Sequence, residues 1–248
     1  MTLNRRQLFR LVGAGAALSS LGTTAAVAAQ PKFVKPTAEK PMLLCFNENP
    51  LGMSEKAKEA VAKAAMYGSR YPFAQVIAFK KDLAKFMNVR PDEVLLTHGS
   101  AEAIRATIEA EATKNTVLVQ PELTYGDGAD VAKRNNIPVK NVKMGPNWSI
   151  DLAALRKVAT AEAKKHRVLV YLVNPNNPTS SVIPRNQMRD ILDYCKKKSI
   201  TVLVDETYVE FAENMDEITA VPLTNFYNNI IILRGTSKFF AAPGLRLG

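Results

Sequence analysis

Five short groups of polar residues carry the side chains with which this sequence can do chemistry. In chain order they are His98-Gly99-Ser100-Ala101-Glu102, Gln120-Pro121-Glu122-Leu123-Thr124-Tyr125-Gly126, Asn174-Pro175-Asn176-Asn177-Pro178-Thr179-Ser180, Asp205-Glu206-Thr207-Tyr208 and Arg234-Gly235-Thr236-Ser237-Lys238, with Pro243-Gly244-Leu245-Arg246 behind the last. Together they supply an amine, carboxylates, guanidinium groups, amides and hydroxyls. Other chemistries are thinly provided. Two histidines, His98 and His166, exclude a histidine-rich metal site and leave little room for a Ser-His-Asp hydrolase. Cys45 and Cys195 stand 150 positions apart, with no CxxC pair and no zinc spacing, and both are read as packing residues.

Each group follows a short apolar run: Val94-Leu95-Leu96-Thr97, Thr116-Val117-Leu118-Val119, Val168 to Val173, Thr201-Val202-Leu203-Val204 and Ile230-Ile231-Ile232-Leu233. The runs are continuous rather than alternating, as in strands buried on both faces of a largely parallel sheet. Helical periodicity lies upstream and between them. Ser54 to Met66 has apolar residues at helical spacing behind a serine cap, and a second helix is expected from about Gln75 to Met87. Asp151 opens another, and Pro184 begins an amphipathic run to Lys198. The pattern predicts an α/β fold with a doubly wound, mostly parallel sheet. Ligands in such folds sit beyond the carboxyl ends of the strands.

Singly, each group has a plain structural explanation. Gly99-Ser100 suits a helix cap, the Asn-Pro run suits a turn, and Asp205 suits a cap on the helix after its strand. Tyr125 and Tyr208 suit packing, and an isolated Ser-Lys signals little. Five such groups in this order, all at strand ends, fit one ligand site better than five coincidences.

The set resembles the fold-type-I pyridoxal-phosphate enzymes, the aspartate aminotransferase superfamily, and within it the histidinol-phosphate aminotransferase-like proteins. The resemblance runs from Asn47-Glu48-Asn49-Pro50-Leu51-Gly52 to Gly248. It is most specific in NPNNPTS at 174–180, DETY at 205–208 and SKFFAAPGLRLG at 237–248, where lysine and arginine stand eight positions apart. It implies an aspartate aminotransferase-like large domain over 71–248, incomplete at its C-terminal side, preceded over 29–70 by an N-terminal arm and part of a smaller domain.

The resemblance also implies pyridoxal 5'-phosphate as cofactor and a role for each group. Lys238 would form a Schiff base with the cofactor aldehyde and then move the substrate Cα proton. Asp205, rather than its neighbour Glu206, would keep the pyridine nitrogen protonated. Asn177 and Tyr208 would bond the ring's phenolic oxygen, and Tyr125 would stack on its face. The phosphate would sit at the helix start, on the amides of Ser100 and Ala101, with Ser237 and Arg246 completing the cup. Tyr71, in a Tyr-Pro element, would reach the phosphate of a neighbouring subunit, which implies a homodimer with composite sites. Asn49 lies in a segment that approaches substrate in such enzymes. His98 adjoins the same cup, but the glycine and helix start beside it explain that loop without a role for it.

Three features depart from the family pattern. Ser180 stands where glycine is usual, a change expected to be tolerated. Gly235 replaces a frequent hydroxyl residue, which would cost the phosphate one contact. Relatives continue beyond the phosphate arginine into another strand and a small domain that holds the substrate-clamping arginine, a role no residue here takes.

Charge does not point to nucleic acid. Of the formal +10, Arg5, Arg6 and Arg10 supply +3, and the other 30 basic and 23 acidic residues leave +7. The basic runs Lys80-Lys81, Lys164-Lys165-His166-Arg167 and Lys196-Lys197-Lys198 fall on or at the ends of expected helices without interleaved aromatics. The first thirty residues read as an address. Asn-Arg-Arg-Gln-Leu-Phe-Arg at 4–10, a weakly apolar stretch from Leu11 to Leu21 and the small-x-small site Ala26-Val27-Ala28 resemble a twin-arginine export signal over 1–28. The expected protein is periplasmic after cleavage, without stable membrane association. The expected activity moves an amino group between an amino acid and a 2-oxo acid. The alternatives are a decarboxylase or lyase using the same cofactor, or a truncated chain that at most binds it. A periplasmic address weighs mildly against histidine biosynthesis, so the family name does not fix the substrate.

Overall fold

The computed structural model describes residues 37–39 and 41–248. The signal expected over 1–28 lies outside the described residues. The chain divides into two compact units, Met1–Leu43 and Leu44–Gly248. The described part of the first contains no helix or strand. The second carries all the helices and strands of the described residues.

Helix α1, Glu55–Ala65, starts where expected, with Ser54 Oγ accepting from the Ala57 N–H at 3.3 Å. Helix α2, Phe73–Met87, ends at Asn88 in the left-handed conformation. Helix α3, Ser100–Glu111, leads to strand β1, Thr116–Pro121, and helix α4, Asp127–Arg134, leads to β2, Val139–Val142. Helix α5, Leu152–Ala163, is capped by Asp151 Oδ1 on the Ala154 N–H and precedes β3, Arg167–Val173. Helix α6, Arg185–Lys196, precedes β4, Thr201–Asp205. The short α7, Met215–Ile218, comes before β5, Ile230–Leu233.

The strands form one parallel sheet in the order β2-β1-β3-β4-β5. Successive side chains on a strand face opposite ways, and the two cores obey that rule. Val117, Val119, Val168, Val170, Leu172, Val202 and Val204 pack with Leu155 and Ala159 of α5 and Met188, Ile191 and Leu192 of α6. Leu118, Leu169, Tyr171, Val173 and Leu203 pack on the other face with Ile104 and Ile108 of α3 and Val131 and Ala132 of α4. This is the doubly wound arrangement expected from the unbroken apolar runs. Its parallel strands bring every carboxyl end to one edge.

Two elements differ from the expectation. Val94–Thr97 is not a strand: Val94 N–H closes a turn onto the Pro91 carbonyl, and Leu95 is 77% exposed. Only Thr97 makes a ladder-like exchange, reciprocally with Gly248 at 2.8 and 3.0 Å. An apolar run becomes a strand only where a neighbour pairs along its length. Strand β2 went unread because its middle residues, Lys140 and Asn141, are exposed on the sheet edge, where polar side chains are the rule.

Candidate active site

The chain turns outward from β1 to β2 on one side and from β1 to β3 on the other, which opens a crevice at the carboxyl ends. A cavity of about 210 Å³ lies there, lined by Ser100, Tyr125, Asn177, Asp205, Tyr208 and Lys238, with Phe46, Asn47, Val173 and Thr207. Six expected site residues, drawn from all five polar groups, thus share one space. A larger cavity of about 660 Å³ shares Asn47, Asn177 and Tyr208 with it.

Asp205 ends β4, paired with Val173 on one side and Leu233 on the other. Its side chain is buried, and Oδ1 accepts from the Thr207 N–H at 2.9 Å and from the Thr207 hydroxyl. Oδ2 accepts from the Tyr171 phenol at 3.4 Å. Burial raises the carboxyl above its ordinary range, opposed by these donors. Glu206 points away, receiving the Thr219 hydroxyl, the Ala220 N–H and Arg234. Adjacent carboxylates are thereby divided between cavity and scaffold.

The asparagines after β3 are divided in the same way. Asn174 exchanges bonds with Ile183, donating to its carbonyl at 3.0 Å and accepting from its N–H at 2.8 Å. Asn176 donates to the Leu123 carbonyl and Thr179 hydroxyl and accepts from Thr124. The Asn177 side chain makes no hydrogen bond among the described residues and faces both cavities. Ser180 has φ 57°, which explains the usual glycine; its N–H bonds the Asn176 carbonyl at 2.8 Å.

Lys238 follows β5, and its amine donates to the Phe46 carbonyl. Burial lowers its pKa, partly opposed by the nearby Glu48 carboxylate. Tyr208 accepts from Asn47 Nδ2 at 3.0 Å. The Tyr125 hydroxyl donates to Asp127 at 2.9 Å, and burial, then Asp127, pushes its pKa up.

The expected phosphate cup is partly assembled. Gly99, at φ 84°, precedes α3, and the N–H groups of Ser100 and Ala101 donate to nothing among the described residues. The Arg246 guanidinium lies on Gly99, donating to the His98 carbonyl at 3.2 Å and the Pro243 carbonyl at 3.1 Å. A Cβ on Gly99 would stand 2.5 Å from Arg246 Nη2. Arg246, Ala101 and His98 line a separate charged cleft rather than the Lys238 cavity. Ser237 lines neither and makes no hydrogen bond among the described residues. A Cβ on Gly235 would lie 3.8 Å from Ser100 Oγ, so the missing hydroxyl belongs to this neighbourhood.

Tyr71 is 86% exposed, stacked on Phe73 and not among the residues lining the cavity. Asn49 donates to the Phe239 carbonyl at 3.0 Å, tying its segment to the Lys238 loop. Cys195 is buried as expected, but Cys45 is exposed and packs no core. The sequence reading missed Thr207, Tyr171, Asn47 and Asp127. A tyrosine inside an aliphatic run was the one visible signal, since its buried hydroxyl needs a partner.

Comparison with known proteins gives the class. Residues 39–248 match the aminotransferase class I and II family, and the chain belongs to it. Histidinol-phosphate aminotransferase 2 of Haemophilus influenzae is 31% identical over 205 residues, covering 83% of this chain and 54% of that protein. The histidinol-phosphate aminotransferase of Bacillus subtilis is 30% identical over 210 residues, covering 85% and 57%. A solved structure from Erwinia carotovora atroseptica, provisionally assigned as a histidinol-phosphate aminotransferase, matches with TM-score 0.82 and 39% identity over 87% of this chain and 62% of that one. The chain spans about half the length of the curated relatives it matches.

Proposed function

We propose that this chain carries the cofactor-binding half of a pyridoxal-phosphate aminotransferase acting on an amino acid and a 2-oxo acid. The carrying observation is that Lys238 and buried Asp205 line one cavity with Ser100, at a helix start whose first N–H groups are unpaired among the described residues. These residues fit pyridoxal 5'-phosphate, whose aldehyde condenses with amines and whose ring takes up the electron pair left when a Cα–H bond breaks. Lys238 would supply the attaching amine and would carry the proton from and back to the substrate. Asp205 holds a proton on the ring nitrogen. Asn177 and Tyr208 orient the phenolic oxygen, and Tyr125 covers the ring. Ser100, Ala101, Ser237 and Arg246 would hold the phosphate. Asn49 braces the lysine loop on the substrate side.

The same reading takes the protein as a homodimer in which Tyr71 serves the partner's site; its exposure away from its own cavity supports this. Export through the 1–28 signal to the periplasm belongs to it as well. Borohydride reduction of cofactor-saturated full-length protein, followed by peptide mapping, is expected to place the phosphopyridoxyl group on Lys238. A label on another lysine, or none, refutes the assignment. Lys238→Ala is expected to lower transamination by about 10⁴-fold, while leaving reversible cofactor binding. Glutamate formed from 2-oxoglutarate with the native amino donor reports the reaction; carbon dioxide without amino transfer would make the enzyme a decarboxylase.

A further inference from the structure

Tyr171 has no part in the expected constellation, yet it is wholly buried in the centre of β3 with its hydroxyl on Asp205. Its ring occupies a slot that exists only because α4 has a glycine at 128. A Cβ there would stand 2.6 Å from Tyr171 Cδ1 and 2.7 Å from Cε1. Real Cβ atoms do not approach that closely, so any other residue at 128 shifts the ring. Burial, then the Asp205 charge, pushes the phenol well above its ordinary pKa, so it stays protonated and acts as a donor. Thr207 places both its donors on Oδ1, which leaves the phenol as the donor to Oδ2 among the described residues.

We propose that Tyr171, seated over Gly128, is a positioning residue that holds Asp205 in place beneath the cofactor ring and keeps the shared proton on the ring nitrogen. The inference rests on the placement of the cofactor proposed above. Donors around a buried carboxylate favour its ionised form against the effect of burial. Losing one makes it compete better for the ring's proton, and a ring without that positive charge makes the imine on Lys238 more basic. The pH midpoint of the bound chromophore's absorbance therefore moves upward when the hydroxyl is lost. The titratable groups around Asp205 are Tyr171 on β3, Asp127 at the start of α4, Tyr125 after β1, Tyr208 after β4 and Lys238 after β5. Of these, Tyr171 alone donates to the carboxylate. At 3.4 Å the contact is long for an O–H···O bond, so the expected shift is modest.

The test uses cofactor-loaded full-length protein. Borohydride mapping of the wild type comes first: absence of label on Lys238 overturns the underlying reading, and the inference with it. With Lys238 labelled, Tyr171→Phe is expected to raise the chromophore midpoint by about half a pH unit. Cofactor affinity should fall a few-fold and kcat more than KM. A merely structural tyrosine would change thermal stability and leave the midpoint in place, and that result overturns the inference. Gly128→Ala displaces the ring without removing the hydroxyl. It is expected to move the midpoint in the same direction and to add no further shift in the Tyr171→Phe background. Additive shifts in the double variant would mean two independent effects and would also overturn it.

Discussion

At the Asp205 end of the cavity, each polar side chain with a structural task meets a partner from the same chain. Asp205 is 2% exposed, Asn174 0% and Asn176 3%, and their bonds run to Thr207, Ile183, Leu123 and Thr124. On the exposed side, the Phe46–Asn49 segment holds Lys238 and Tyr208 through single contacts, and Phe46 is 79% exposed. Floor and rim therefore differ in what fixes them. The floor is held by buried bonds whose loss leaves a polar atom without a partner, which is costly. The rim is held by exposed bonds that water can replace. Damage to the floor should travel far; damage to the rim should stay local.

Within the floor, the most severe break is expected at Asp205. Asp205→Ala should lower turnover on the order of 10³-fold, the size of a general acid–base contribution, while borohydride still labels Lys238. Loss of the label together with turnover would mean that floor and attachment are one structural unit.

Arg234 tests the scaffold beneath the floor. It pairs with Glu206 at 3.3 Å and Glu210 at 2.7 Å, and the Glu206 side chain is 0% exposed. Arg234→Met should destabilise the fold by about 3 kcal/mol, because it strands a buried carboxylate. Urea unfolding measures this, and a change below the error of the method would show that Thr219 and Ala220 suffice for Glu206.

Gly99 stands at the helix start, against the Arg246 guanidinium. Its φ of 84° strains any other residue, and a Cβ there would stand 2.5 Å from Arg246 Nη2, so the guanidinium would have to move. Gly99→Ala should weaken cofactor binding about tenfold, given a cost of about 1–3 kcal/mol for strained backbone. Equilibrium dialysis would report it, and unchanged affinity would show that Arg246 moves aside freely.

The contrast between floor and rim also explains what the sequence disclosed. Asp205, Asn177 and Lys238 could be singled out because each follows an unbroken apolar run, and parallel strands carry such residues to one edge. Four of the five strands came from those same runs. What stayed hidden depends on contacts across space. The pairing of Tyr171 with Asp205 spans 34 positions and that of Asn47 with Tyr208 spans 161, and no local periodicity encodes either. Val94–Thr97 misled for the mirror reason: its composition suits a strand, but pairing decides, and only Thr97 finds it.

The smallest effect is expected at Asn47, and it is the sharpest test of the contrast. Its amide donates to the Tyr208 hydroxyl at 3.0 Å, a bond that looks as good as those on the floor. Asn47 itself is exposed, however, and its loss leaves the tyrosine hydroxyl free to bond water. The net value of such a bond is about 0.5–1.5 kcal/mol even when well formed, and solvent replacement places this one at the low end. Asn47→Ala should therefore change kcat/KM by less than about threefold, with no change in urea stability. Tyr208→Phe, measured alongside, removes the hydroxyl that the cavity itself uses and should cost more than Asn47→Ala. If Asn47→Ala costs as much as Tyr208→Phe, the rim bond fixes Tyr208 as firmly as Thr207 fixes Asp205, and the distinction between floor and rim fails.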